Sequence, residues 1–249
     1  MKISIQNEKT LTDNIVSISK ALKLNAFVNF KEYIKKDLSV EEILHNILEA
    51  ELSIKTENKY RYRIKNANFP VIKTLDTFEF DTERLPDLNK DTVMELASCN
   101  FVKSKRNVIA LGNSGTGKSH LMTAICLEAI TKGYTVKFRR ASDLVNQMTE
   151  ASNEKQLSQY IKNVNSCDIL YVDELGYLSF DSVGASLLFQ IFAARYETKS
   201  TIVTSNLDFS QWSEFLGKDK HMTSALIGRL VEHSTVLNMN GENYRITRR

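Results

Sequence analysis

The apolar positions change their period along the chain. Leu11, Ile15, Ile18 and Leu22 recur at three- and four-residue steps, and Ile43, Ile47, Leu48 and Leu52 repeat the pattern. Both runs predict amphipathic helices. Ser39 is placed to cap the second, with Glu42 three residues on completing a capping box. Residues 1–65 therefore read as a small all-α unit. Residues 66–92 contain the only two prolines, Pro70 and Pro86, and hold no sustained period. They read as a linker packed along a domain.

From residue 93 onward short apolar runs alternate with helical stretches. NVIALG reads as a buried strand, HLMTAICLEAITKG as a helix and YTVKFRR as a strand. Ser142 is placed to cap a helix reaching Met148, and NEKQLSQYIKNVN can form another. CDILYVDE is an apolar strand. FDSVGASLLFQIFAARYE follows as a helix with Val183, Leu187, Leu188, Ile191 and Phe192 on one face, and STIVTSN is again a strand. Strands separated by helices predict an α/β fold, a parallel sheet sandwiched by helices over residues 93–249.

Composition narrows the class. At 249 residues, 42% hydrophobic and 25% charged, the chain can bury a core and is not a disordered polymer. No apolar run approaches the ~18–20 residues of a membrane-spanning helix. The opening MKISIQNEKTLTDN turns polar too soon for a secretory signal. Cys99, Cys126 and Cys167 are odd in number, far apart and free of any CxxC, which argues against disulfides and zinc and for a reducing cytoplasm. The net charge of +3 lies wholly ahead of residue 71, where twelve Lys/Arg face nine Asp/Glu. That mild bias suits a solvated helical surface as well as a nucleic-acid patch.

The strongest chemical signal is Gly112-Asn113-Ser114-Gly115-Thr116-Gly117-Lys118-Ser119, which fits G-x-x-x-x-G-K-[ST] without mismatch. It follows one predicted strand and opens one predicted helix, as a phosphate-binding loop must. Glycines let successive N–H groups face phosphate oxygens, and the helix N-terminus adds partial positive charge. Lys118 supplies a full charge to the β- and γ-phosphates, and the Ser119 hydroxyl can ligate Mg²⁺. Asp173 and Glu174 end the strand that begins at Ile169. Asp173 can hold the Mg²⁺ shell, and Glu174 can take a proton from an attacking water. An acidic pair favours hydrolysis over transfer to a small substrate. Asn206, just past STIVTS, can orient that water. No LSGGQ-like string is present, and the one NKxD-like string, Asn89-Lys90-Asp91, precedes the loop, so ATP is favoured over GTP.

The strings LASCNFV, GNSGTGKSHLMTAI, DILYVDELGYL, LLFQIFAARYE, STIVTSN and SALIGRLVEH together resemble the IstB family. These are AAA+ ATPase helpers of a class of bacterial insertion-sequence transposases, related to the DnaC-type helicase loaders. The resemblance covers about residues 70–249, with KTLDTFEFD similar to the segment that leads into the nucleotide site. It implies nucleotide binding by Gly112 to His120, and a site between subunits that a neighbour's arginine completes. Arg229 in SALIGRL is one candidate for that arginine and Arg245 in NYR a second. The chain departs from the family's usual pattern at Gly228, often Asp, and at Asn243, often Ser. The 26 residues Ala141–Ser166 leave room for an extra helix, as in initiator-type AAA+ proteins, where it lies along DNA. Arg139, Arg140, Lys155 and Lys162 are its candidate cations.

The resemblance implies an ATP-dependent homo-oligomer on duplex DNA, binding largely without sequence preference and presenting that DNA to a transposase. Residues 1–65 then contact DNA or a partner. A replicative helicase loader is the alternative, with the helicase as partner. A small-molecule kinase is a third, disfavoured by the acidic pair.

Overall fold

The computed structural model describes the backbone of residues 2–247 and the side chains of residues 11–244 and 246. The chain forms two compact units, residues 1–62 and 63–249. The first holds α1 (Lys2–Ala21), the single-turn α2 (Asn25–Val28) and most of α3 (Val40–Ala67). The capping box forms as expected. Ser39 N–H donates to Glu42 Oε2 at 2.7 Å, and Glu42 N–H donates to Ser39 Oγ at 3.2 Å. Buried Glu51 of α3 accepts the Ala26 N–H at 2.8 Å and so ties α2 to α3. The apolar stripes are only partly covered. Ile47 is buried, whereas Leu11, Ile18, Leu22, Leu48 and Leu52 are exposed.

After the last residues of α3, the second unit continues as a largely irregular stretch through residue 89. It is less a linker than part of the core, since Phe78, Leu85 and Leu88 are buried. Then follow α4 (Lys90–Ala97), α5 (Asn100–Lys103), β1 (Asn107–Leu111), α6 (Lys118–Thr131), β2 (Val136–Arg140), α7 (Ala141–Asn153), α8 (Leu157–Val164), β3 (Ile169–Leu175), α9 (Ser182–Arg195), β4 (Ser200–Ser205), α10 (Trp212–Phe215), α11 (Lys220–Val231), β5 (Ser234–Asn238) and α12 (Tyr244–Thr247). The sheet is five-stranded, in the order β2-β3-β4-β1-β5, with every pairing parallel. The α/β expectation holds. β1 and β4 are buried along their whole length, the mark of a sheet covered on both faces. α6 is apolar nearly all round and buried from Leu121 to Leu127.

Two local expectations fail. Ser142 does not cap α7, which already begins at Ala141, with Arg140 at the cap position and no side-chain cap bond. The strand runs into the helix without the turn a capping serine needs. Val183 is 59% exposed, unlike Leu187, Leu188, Ile191 and Phe192. It sits in the first turn of α9, where Asp181 accepts the Gly184 N–H at 2.8 Å and caps the helix.

Arg195, 1% exposed, clamps the amino ends of β3 and β4. It donates to Asp168 O at 3.0 Å, Ser200 O at 2.7 Å and Thr201 Oγ1 at 3.2 Å. These bonds recover the cost of burying a guanidinium.

Candidate functional site

A parallel sheet brings the carboxyl ends of its strands to one edge, and ligands bind there. At that edge β1 runs into residues 112–117, β3 ends in Asp173, Glu174 and Leu175, and β4 ends in Ser205. The sequence-predicted loop, acidic pair and Asn206 therefore meet at one edge. Asn206 is exposed, one residue past β4.

The loop wraps back on itself. Lys118 Nζ donates to the loop's own carbonyls, Gly112 O at 2.5 Å and Asn113 O at 2.6 Å. Burial lowers the ammonium's pKa to about 8, against the opposing pull of Asp173. Gly117 is the cap residue of α6 and offers no side-chain cap bond, so no side chain at that position satisfies the helix's first amides. That is the donor arrangement an anion fits.

Two flanking segments seat the loop. A Cβ on Gly117 (φ +95°) would stand 3.0 Å from the Phe78 ring. Phe78 also meets the His120 ring edge-on at 5.4 Å. His120 Nε2 lies 3.0 Å from Thr74 O and 3.2 Å from Thr77 Oγ1, fixing residues 74–78 beside the loop. From the other side, Tyr244 N–H donates to Gly115 O at 3.1 Å. A Cβ on Gly115 (φ +83°) would meet Asn243 Oδ1 at 2.1 Å. Arg84 stacks on the Tyr244 ring at 4.4 Å.

Asp173 is the hub. Its Oδ1 accepts from Ser119 Oγ at 2.9 Å, from the Tyr171 hydroxyl at 2.9 Å and from Thr204 Oγ1. The two expected metal ligands thus touch, and a carboxylate beside a hydroxyl offers the hard oxygens that Mg²⁺ takes. Burial, with Asp173's charge beside it, raises the Tyr171 phenol well above its ordinary pKa and keeps it a donor. Glu174 has a left-handed backbone, φ +60°. Its Oε2 lies 3.5 Å from Arg140 Nε, and both side chains are half exposed.

Arg229 is not at this edge. Asn107, the first residue of β1, donates to Arg229 O at 3.5 Å and Leu230 O at 3.0 Å. That places Arg229 at the amino end of the sheet, roughly 15 Å of strand from the phosphate loop. Its guanidinium lies over the Phe189 ring at 4.8 Å and donates to Ala225 O at 3.1 Å. The backbone of α12 stands beside the loop, and the Arg245 side chain lies outside the described residues. Arg139 is half-buried against Phe138 O at 2.6 Å. Lys155 and Lys162 are exposed.

The sequence reading missed Tyr171, Thr204, the Arg140–Glu174 pair and the contact of Asn243 and Tyr244 with the loop. Tyr171 falls two residues before Asp173, on the same face of β3 by strand alternation, and that spacing is a usable signal. The others join residues 31 or more positions apart, which spacing cannot reveal.

A phosphate loop after one strand of a parallel sheet, with an acidic pair ending another, defines a P-loop ATPase of the AAA+ class. The chain matches the family described as "IstB-like ATP binding protein" over residues 18–249, and it belongs to that family. It is 38% identical over 210 residues to an ATP-binding protein of insertion sequence IS5376 from Geobacillus stearothermophilus, covering 84% of this chain and 82% of that protein. It is 32% identical over 246 residues to its counterpart in IS232 of Bacillus thuringiensis subsp. berliner, covering 99% and 96%. Among solved structures, AMPPCP-bound DnaA from Aquifex aeolicus superposes with a TM-score of 0.55 at 25% identity, covering 69% of this chain and 50% of that one. The DnaC helicase loader superposes at 0.55 and 22% identity, covering 66% and 95%, a likeness of fold. Among the described residues, no helix is long and apolar enough to cross a membrane.

Proposed function

We propose that this chain is an ATP-dependent DNA-binding assembly protein of insertion-sequence transposition. It forms an oligomer on duplex DNA and presents that DNA to a transposase. The observation that carries the reading is the place of Arg229. It stands at the end of the sheet remote from its own loop, so a site that it completes takes it from a second copy. The relatives named above are ATP-binding proteins of insertion sequences, which puts transposition ahead of helicase loading.

The proposed chemistry follows from the groups at the edge. Lys118 leaves the carbonyls of Gly112 and Asn113 for the phosphates, whose charge it matches better than a neutral dipole. The loop amides and the open first turn of α6 cradle the same oxygens. Ser119 and Asp173 would hold Mg²⁺, which when bound neutralises phosphate charge. Glu174 accepts the proton of the attacking water, and Asn206 orients that water. Arg229 of a neighbour meets the γ-phosphate, and hydrolysis releases the contact and the assembly.

Duplex binding at two salt concentrations, with and without a non-hydrolysable ATP analogue, tests the reading. Affinity should rise with the analogue, because association multiplies weak contacts along one duplex. It should fall with salt by a log–log slope of ~0.9 per phosphate contacted, and random-sequence duplex should compete fully. No binding at low salt with the analogue would contradict the DNA function and leave a helicase loader or a kinase.

A further inference from the structure

β3 and β4 fall out of step where the acidic pair sits. Val172 pairs with Val203 and Leu175 with Ser205, with a register shift between them. Two residues, Asp173 and Glu174, therefore stand opposite one, Thr204. This is a β-bulge, a device that re-aims side chains beside active sites. The extra residue is Glu174, and its φ of +60° is a conformation that costs a non-glycine residue about 1 kcal/mol.

One hydroxyl spans the bulge. Thr204 Oγ1 accepts the Glu174 N–H at 3.1 Å and donates its own proton to Asp173 Oδ1. A hydroxyl has one donor and two acceptor positions, so both bonds form at once. Thr204 is 1% exposed, so water cannot replace it. Without it the Glu174 amide loses the partner a ladder would have supplied, and the left-handed residue loses the bond that ties its N–H to β4.

We propose that Thr204 is a positioning residue. It fixes the direction of the Glu174 side chain through the main chain and the orientation of the Asp173 carboxylate through its hydroxyl. Tyr171 provides the contrast, because of the two acidic residues its hydroxyl meets Asp173 and not Glu174. Loss of Thr204 should disturb both acidic residues, and loss of the Tyr171 hydroxyl only one. The effect on turnover rests on the reading of Glu174 as the base. The effect on the backbone does not.

Three variants of the full chain test this: Thr204→Val, which keeps the shape, Thr204→Ser, which keeps the hydroxyl, and Tyr171→Phe. Amide hydrogen exchange at Glu174 should quicken roughly tenfold or more in Thr204→Val, the size of one lost hydrogen bond, and stay near wild type in the other two. ATP turnover should show kcat down by roughly tenfold or more in Thr204→Val with KM nearly unchanged, and near wild type in Thr204→Ser. Folding of each variant is checked by its thermal transition. Unchanged exchange at Glu174 in Thr204→Val overturns the proposal, as does a Thr204→Ser protein impaired as deeply as Thr204→Val. Quickened exchange with wild-type turnover would keep the backbone role and remove Glu174 from its role as base.

Discussion

Lys118 carries the clearest charge effect in the molecule. Its pKa of about 8 means that the free protein loses this charge as pH rises through that value. Bound phosphates favour the ammonium, so binding raises the pKa and takes up a proton. ATP affinity should therefore fall as pH rises above about 8, and calorimetry at pH 8 in buffers of different ionisation enthalpy should show proton uptake that vanishes near pH 6. Uptake of zero at both pH values would contradict a buried, tunable Lys118. Glu174→Gln keeps the side chain's shape and loses its basicity, so ATP should stay bound while turnover stops. Lys118→Ala should weaken binding itself. A Glu174→Gln protein hydrolysing at the wild-type rate would remove the assigned base. At this scale the glycine–lysine–serine loop and the Asp173–Glu174 pair were legible in the sequence, because phosphate chemistry demands those types in a fixed local order. Thr204 was not, since a threonine in a strand acquires meaning only from the residue across the bulge.

Among the elements, two helices make opposite predictions. α9 ends in Arg195, whose guanidinium holds carbonyls at the amino ends of β3 and β4. Arg195→Met keeps the length and strands those acceptors, and should cost about 3 kcal/mol or more. A melting transition within a degree of wild type would show that the clamp is idle. In α11, Gly228 has open space where a Cβ would stand. Gly228→Ala should raise stability by about 0.5–1 kcal/mol, since nothing in this chain needs glycine there. A loss of stability would mean a contact absent from the single chain. Strands and helices after residue 93 were readable because their apolar periods differ. The stretch 66–92 read as a linker for want of a period, yet Phe78, Leu85 and Leu88 are core. Irregular backbone buries side chains as well as helices do, and leaves no periodic trace. The stripes of α1 and α3 mislead the other way. Their period is helical, but Leu48 and Leu52 remain exposed, so period reports helix and not burial.

For the whole molecule, the parallel sheet separates the phosphate loop from Arg229. The carboxyl end carries the loop, Asp173 and Glu174. The amino end carries Arg229, held at Phe189 and Ala225. A head-to-tail contact between copies would join the two ends, and such heterologous contacts generate rings or helical filaments. With an ATP analogue and DNA the protein should therefore elute as a multimer, and without nucleotide as something smaller. Hydrolysis by a single copy should be slow under any condition that prevents association.

Mixing two inactive variants tests the shared site most directly. Lys118→Ala has a dead loop and an intact Arg229. Arg229→Ala has an intact loop and no arginine to lend. Each alone should hydrolyse ATP poorly with DNA present. In a mixture, half of the contacts an Arg229→Ala loop makes are with a Lys118→Ala neighbour when the two are equimolar and pair at random, and those sites are complete. Turnover by the mixture should then rise well above that of either variant alone. A mixture no more active than the average of its two components would contradict an ATP site completed between copies by Arg229.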